Sequence, residues 1–186
     1  MGETLNAKDV ITVYDDFLSD DEFKRIENII MSRNFPWYHS SFVATNDDCD
    51  MRHWYNIHMF YHENVAVSNY YNDIYEIFMP KIDEKYGTTT TLTRCIKSLI
   101  RIKANFYPWT EKLIEHNPHY DYDWSHCGAI FAMNTCDGYT RFGNDDDSQI
   151  VESKKNRMIF FDPSIYHNST TTTNAQARVN INFNFL

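Results

Sequence analysis

The 186-residue sequence has little of the residues that punctuate irregular chains, five glycines and five prolines, so collagen-like, linker-rich and low-complexity readings are excluded. Cysteine is scarce as well. Cys49, Cys95, Cys127 and Cys136 form no C-x-x-C pair, which argues against a zinc ribbon, a thioredoxin-type motif or a disulfide scaffold. Reduced thiols and a cytoplasmic setting are therefore expected. No apolar run approaches the roughly 20 residues needed to cross a bilayer, and no membrane partner is expected. The opening residues Met1 to Asn6 lack a basic-then-apolar export pattern, and Asn6 stands where myristoylation wants Ser or Thr. Positive charge is in deficit, with 17 Lys and Arg against 26 Asp and Glu, a formal net charge of −9. That balance disfavours the wrapping of a phosphate backbone and makes nucleic acid an unexpected partner.

What the chain has in quantity is aromatic side chains, 16% of the sequence, and alternation. Its length suits one domain over residues 1–186, read as a helical and strand support layer at 1–94 and a core at 95–186. Residues 10–18 read as a strand, and Ser19-x-x-Glu22 is a capping box for a helix burying Phe23, Ile26, Ile29 and Ile30. The aromatic stretch 35–63 reads as strands and loops beside the core, and Trp37, Tyr38, Trp54, Tyr55 and His58 are its candidates for substrate contact. From 65 to 85, Val67, Tyr70, Tyr71, Ile74, Ile77, Phe78 and Ile82 recur at helical spacing; Pro80 is expected to break or kink the last turns and Gly87 to end them.

The second half alternates with period two. Ile100, Ile102, Ala104 and Phe106 interleave with Arg101, Lys103, Asn105 and Tyr107, a strand with one polar side. Residues 108–118 read as a loop with a helical turn at 111–115. Ala129–Met133 reads as a buried strand, Asp137-Gly138 as a turn, Tyr139–Phe142 as a short strand, Asn144–Asp147 as a solvated turn, and Met158–Phe161 as a strand closed by Asp162-Pro163. In the last stretch Arg178, Asn180, Asn182 and Asn184 alternate with Val179, Ile181, Phe183 and Phe185. Amides buried without partners would cost a few kcal/mol each, so a polar pocket is the better home for that face. Many short strands after a helical layer point to a jelly roll with helices packed on one side.

One stretch carries chemistry. If Pro118-His119-Tyr120-Asp121 is extended, His119 and Asp121 present an imidazole and a carboxylate on one face, and His167 can arrive on a neighbouring strand. Two His and one carboxylate on one side of a metal suit non-heme Fe(II) and O2. A His-x-Asp alone arises by chance roughly 0.7 times in a chain of this composition, so its weight comes from context.

The ordered set Asn105-x-Tyr107, His119-x-Asp121, Asn134-x3-Gly138-x-Thr140-x-Phe142, Asn156-Arg157-x3-Phe161, His167 and Arg178-x-Asn180 resembles the 2-oxoglutarate/Fe(II)-dependent dioxygenase superfamily, nearest its prolyl 4-hydroxylase-like branch and a phage- or bacterial-type member of it. The resemblance covers residues 95–186 and, more loosely, the helical layer. It implies a mainly β (α+β) fold, a double-stranded β-helix (jelly-roll) core with N-terminal helices packed on one sheet. It implies Fe(II) held by His119, Asp121 and His167, with 2-oxoglutarate anchored through its far carboxylate by Arg178 and assisted by Asn180, Tyr107 and Asn105. It also implies hydroxylation of a C–H bond with O2, releasing succinate and CO2, on a small-molecule or peptidyl substrate such as a prolyl or other amino-acid residue. For a phage-encoded member the cytoplasm is the host's.

Three departures qualify it. Arg178 stands where collagen-type prolyl hydroxylases usually carry Lys, and Asp137-Gly138 where Gly-Gly is usual. The second downstream Arg of the nucleic-acid demethylase branch is missing, since Ile181 to Leu186 follow Asn180. The residues also admit a redox-inactive, cupin-like metal-binding jelly roll, an isomerase or binding module, and a purely structural β-domain.

Overall fold

A computed structural model describes residues 11–44, 53–89, 96–143 and 148–186, without the side chains of 87–89. Asp47-Asp48, which reads as an acidic turn, the turn at 144–147, and Thr90 and Thr91 of the threonine run 88–91, which reads as a polar, β-favouring connection, lie outside the described residues. A short strand β1 (Thr12–Tyr14) leads to helix α1 (Asp20–Ile30). The capping box forms as its spacing predicts: Ser19 Oγ accepts from the Glu22 N–H, and the Glu22 carboxylate accepts from the Ser19 N–H at 2.9 Å. Phe23, Ile26 and Ile30 are buried.

The second helix departs from expectation. Strands β2 (Tyr38–Ser40), β3 (Tyr55–His62) and β4 (Val65–Ala66) precede α2 (Tyr71–Thr89), which starts after Val67, a residue left 55% exposed. Ser68 makes the turn instead, its carbonyl accepting from the Tyr71 N–H at 3.1 Å. The helix passes Pro80 and Gly87 and ends at Thr89. Burial of Ile74, Ile77, Phe78, Met79 and Ile82 around Pro80 offsets a local cost of about 3 kcal/mol.

β5 (Leu99–Pro108), β6 (Cys127–Ala132), β9 (Arg157–Phe161) and β11 (Ala177–Phe185) complete the larger antiparallel sheet, ordered β1-β9-β6-β11-β5-β3-β2 with β4 paired to β3. One face, carried by residues such as Phe60, Ile102, Phe131, Phe160, Val179 and Phe183, packs under both helices as the main core. The opposite face meets a small sheet, β10-β7-β8, built from β7 (Tyr139–Phe142), β8 (Gln149–Glu152) and β10 (His167–Ser169), through a cluster of Ile130, Phe142, Val151, Ile159 and Phe161. The helices therefore cover one sheet only, the arrangement the resemblance implies.

Two polar residues of the ordered motif fasten this frame. Asn156, at φ 62°, pairs its side-chain amide with both backbone groups of Leu18, at 2.9 and 2.8 Å, tying the helical layer to β9. Asn134 bridges Val179 N–H and Ala177 C=O in the same way.

Residues 109–118 form no helical turn. Their backbone groups bond sideways instead, His116 N–H to Ser169 O at 2.9 Å and Thr171 N–H to Ile114 O at 3.0 Å, which leaves the segment extended beside β10. Glu115 locks it there by accepting from the Arg141 guanidinium, Tyr139 OH and Asn168 Nδ2. The Arg141 bond, outweighing partial burial, holds the Glu115 carboxyl at about 2. A folded pKa below the unfolded one stabilises above about pH 4.5 and loses that contribution as pH falls toward 2. Glu115→Gln is expected to destabilise the fold at neutral pH, and the gap between variant and wild type in urea unfolding should close as pH drops through that window.

Candidate active site

His119 and His167 face each other as an isolated antiparallel bridge, each N–H donating to the other's carbonyl at 3.0 and 2.9 Å. Such a pair points both side chains to one side, and here the ring centroids are 4.7 Å apart. Asp121 joins them: ligand atoms of His119, Asp121 and His167 all lie within 4.8 Å of one another. His119 Nδ1 and His167 Nε2 are buried without a hydrogen-bond partner. His167 Nδ1 donates to Ile165 O at 3.0 Å, which fixes the tautomer and leaves a lone pair on Nε2.

Burial, with His167 adjacent, pushes His119 down to about 4, and burial lowers His167 too, so both rings are neutral near pH 7. Burial opposes ionisation of Asp121, yet the Arg101 guanidinium and an Asn184 hydrogen bond help to hold its carboxyl below the usual range. Two neutral imidazoles with orphaned nitrogens and one ionised carboxylate fit a divalent cation.

The residues that aim Asp121 were not singled out from the sequence. Arg101 Nη2 donates to Asp121 Oδ1 at 2.7 Å, and Asn184 Nδ2 to Oδ2 at 2.8 Å. Arg101 Nε also bonds Asn184 Oδ1 at 3.1 Å, so the two supports brace each other. Their signal was present: both sit on the polar side of an alternating strand. What made them partners is register, Asn184 opposite Arg101.

The same register places the second group. Arg178 lies opposite Tyr107 and Asn180 opposite Asn105. Arg178 is 2% exposed; its Nη2 donates to Thr140 Oγ1 at 2.7 Å, its guanidinium lies 5.4 Å from the Tyr107 ring centre, and its Nε has no partner. No carboxylate pairs with it among the described residues, and burial lowers its pKa. Asn105 donates to Asn180 Oδ1 at 2.8 Å, while its own Oδ1 is buried without a partner. Gly138 makes room for Arg178: a Cβ there would stand 2.6 Å from Thr171 O and 2.7 Å from Arg178 Cδ. Its neighbour Asp137 accepts from Thr172 Oγ1, Thr173 N–H and Thr173 Oγ1, fastening the threonine segment whose Thr170 O accepts from Arg178 Nη1 at 3.3 Å.

Of the five residues considered for substrate contact, Tyr55 reaches the cavity between the sheets, where it stacks on Tyr107 with ring centres 5.4 Å apart. His58 lies on the other face of β3, 4% exposed among Phe35, Phe60 and Tyr70, with both ring nitrogens bonded at 2.7 Å to Pro36 O and Ser68 Oγ. Strand parity explains the separation, since 55 and 58 differ by an odd number of residues. Trp37 packs on Phe35 and Phe106 beside the core, Tyr38 is 61% exposed, and Trp54 contacts His39. Lys103, not counted among the sequence candidates, lines the cavity instead; burial and the nearby Arg101 charge push its ammonium down to about 7.

Solved structures share this architecture. A 2OG-Fe(II) oxygenase-family oxidoreductase from Burkholderia pseudomallei superposes with a TM-score of 0.72 over 99% of this chain and 92% of its own, at 10% identity. The fold is that of the 2-oxoglutarate/Fe(II) oxygenases. A prolyl hydroxylase from Trichoplax adhaerens, solved with a hypoxia-inducible-factor peptide fragment, gives 0.70 over 96% and 84% at 11% identity. A prolyl-4-hydroxylase from Pseudomonas putida gives 0.63 over 94% and 91% at 13%. No family model and no curated protein sequence matches the chain.

Two outcomes follow from the supports. Asn184→Leu removes an uncharged donor to Asp121 and is expected to weaken Mn2+ binding by about 10- to 100-fold in titration calorimetry. Gly138→Ala should lower the melting temperature and displace Arg178, since the added Cβ would stand 2.6 Å from the Thr171 carbonyl and 2.7 Å from Arg178 Cδ, so that backbone or the buried arginine stem must shift.

Proposed function

We propose that the chain is a 2-oxoglutarate- and O2-dependent Fe(II) oxygenase that hydroxylates a C–H bond, with a peptidyl or free amino acid as the preferred substrate class. The observation that carries the reading is the pairing of two incomplete groups in one fold. The His119, Asp121 and His167 cluster has nitrogens without a partner, and Arg178 is a buried guanidinium that pairs with no acid among the described residues. One ligand that chelates a metal and ends in a second carboxylate satisfies both. A redox-inactive metal-binding jelly roll accounts for the three ligands but leaves Arg178 uncompensated, a costly arrangement for a buried charge.

His119, Asp121 and His167 would hold Fe(II), with Asp121 kept in place by Arg101 and Asn184. Arg178 would pair bidentately with the far carboxylate of 2-oxoglutarate, which a planar guanidinium does better than an ammonium. Tyr107, Asn105 and Asn180 line the same cavity as His119, Asp121 and His167 and would assist the cosubstrate there, the unpartnered Oδ1 of Asn105 being able to accept from a donor. Bound together, iron and 2-oxoglutarate supply O2 activation with release of CO2 and succinate. The chain's task is to orient the C–H bond and exclude water, for which Val43, Tyr55 and Ile130 form the apolar part of the cavity wall. The peptide bound to the Trichoplax prolyl hydroxylase supports an amino-acid substrate, while Arg178 in place of Lys favours a residue other than proline.

Anaerobic titration of the Fe(II)-loaded protein with 2-oxoglutarate tests the class. A weak visible charge-transfer band is expected, shifted to at least about tenfold higher 2-oxoglutarate in Arg178→Ala, as loss of a charge-assisted pair predicts. Asp121→Ala should abolish succinate production in a folded protein. No band with iron demonstrably bound would refute the oxygenase assignment.

A further inference from the structure

We propose that Lys103 and Tyr55 form an anion subsite for the substrate, so that the molecule hydroxylated carries a carboxylate close to its reacting carbon. The inference rests on the oxygenase reading above and specifies its substrate class. On β5 the polar row runs Arg101, Lys103, Asn105, Tyr107, opposite Asn184, Asn182, Asn180 and Arg178 of β11. Arg101 serves Asp121, and Tyr107 lies against Arg178. Lys103 stands between these ends and serves neither. Its Nζ donates to Tyr55 OH at 3.3 Å and lies 5.5 Å from the Tyr55 ring centre, leaning toward the β3 wall of the cavity.

Tyr55 and Tyr107, which both line the cavity, stack nearly parallel, at 13°, and each ring carries a cation: Arg178 lies against Tyr107, and Lys103 against Tyr55. The first pair is spoken for by the cosubstrate. The second has no anion, for among the described residues no carboxylate pairs with Lys103, and the cavity's own carboxylate, Asp121, is engaged by Arg101 and Asn184. Charge counting gives the same result. A divalent ion, Arg101, Arg178 and Lys103 in its ammonium form bring five positive charges, Asp121 and a dianionic cosubstrate remove three, and two remain; an anion beside Lys103 favours that ammonium form. A neutral prolyl ring offers nothing to pair with them, whereas the side-chain carboxylate of an acidic residue, free or peptide-borne, does.

The protein loaded with Mn2+ and 2-oxoglutarate, kept free of O2, is titrated calorimetrically with L-aspartate, L-asparagine, L-glutamate and L-glutamine, and with the end-capped tripeptides Ala-Asp-Ala, Ala-Asn-Ala, Ala-Glu-Ala and Ala-Gln-Ala. At least one acid is expected to bind about tenfold or more tightly than its amide. Whether that acid is free or peptide-borne identifies the source of the carboxylate. Lys103→Met should erase the preference, Lys103→Arg should keep it, and Tyr55→Phe, which loses only a hydroxyl, should weaken it, all with 2-oxoglutarate affinity changed by less than about threefold. Equal or absent binding of acids and amides overturns the proposal. So does a tenfold loss of 2-oxoglutarate affinity in Lys103→Met, which would make Lys103 a cosubstrate anchor. If the wild-type protein binds Mn2+ but not 2-oxoglutarate, the oxygenase reading fails and the subsite falls with it, an outcome separate from normal 2-oxoglutarate binding without acid preference.

Discussion

The antiparallel register of β5 against β11 is the constraint on which the rest depends. It sets Tyr107 against Arg178, Asn105 against Asn180, Lys103 against Asn182 and Arg101 against Asn184, four polar pairs on one face, while Val179, Ile181 and Phe183 fill the other under the helices. A slip of one residue would turn guanidinium and amides into the helix-packed core and expose the apolar row. Sheet and site are thus specified together. The burial that drives α1 and α2 onto one face is also what keeps the opposite face aligned for its ligands.

A single register also explains why the site is legible only in part from the sequence. The alternation at 100–107 and 178–185, the capping box at Ser19 and Glu22, and the spacing of His119 and Asp121 are local patterns, and local patterns survive in one dimension. Which polar residues meet across strands is not local. Arg101 and Asn184 are 83 positions apart and touch only because β11 lies against β5. The parity that sends Tyr55 to the cavity and His58 to the core was readable in principle, but the aromatic density of 53–62 hid the period. β8 was missed because Gln149 to Glu152 is too short to register against its turn-rich surroundings. Residues 111–115 form no helical turn, and the helix does not break at Pro80, for a shared reason: local helical or helix-breaking signals yielded to hydrogen bonding and burial supplied from elsewhere in the chain.

Stability and ligand readiness oppose each other here. Arg178 is buried against neutral partners, and His119 and His167 keep ring nitrogens away from water with nothing to bond. Each such group costs free energy in the ligand-free fold. The compensation is visible around them: Asp137 gathers the threonine segment beside Arg178, Glu115 clamps the strand-like approach to His119, Asn156 ties the start of β9 to Leu18, and Asn134 ties the end of β6 to the start of β11. The Asp137-Gly138 pair divides the labour, glycine admitting the arginine and aspartate fastening the wall behind it. That division gives a physical reason for an acid where the family pattern has a second glycine.

The chain's net charge of −9 and the few cations placed around its site act at different ranges. Long-range steering follows the sum of charges, and in physiological salt it is screened within about 8 Å, so an acidic exterior does little to draw an anion inward. At the site the terms are short and poorly screened: the Arg178 guanidinium, with which no carboxylate pairs among the described residues, an ammonium leaning on a tyrosine, and imidazole nitrogens without a hydrogen-bond partner. Recognition of an anionic ligand would therefore rest on contacts made after entry, with affinity set by desolvated pairing and only weakly by ionic strength. Bulk composition disfavours a polyanion wrapped over the surface. It says nothing about a small anion drawn into the interior, because a few cations fixed by strand register outweigh a surface average at the distances over which pairing acts.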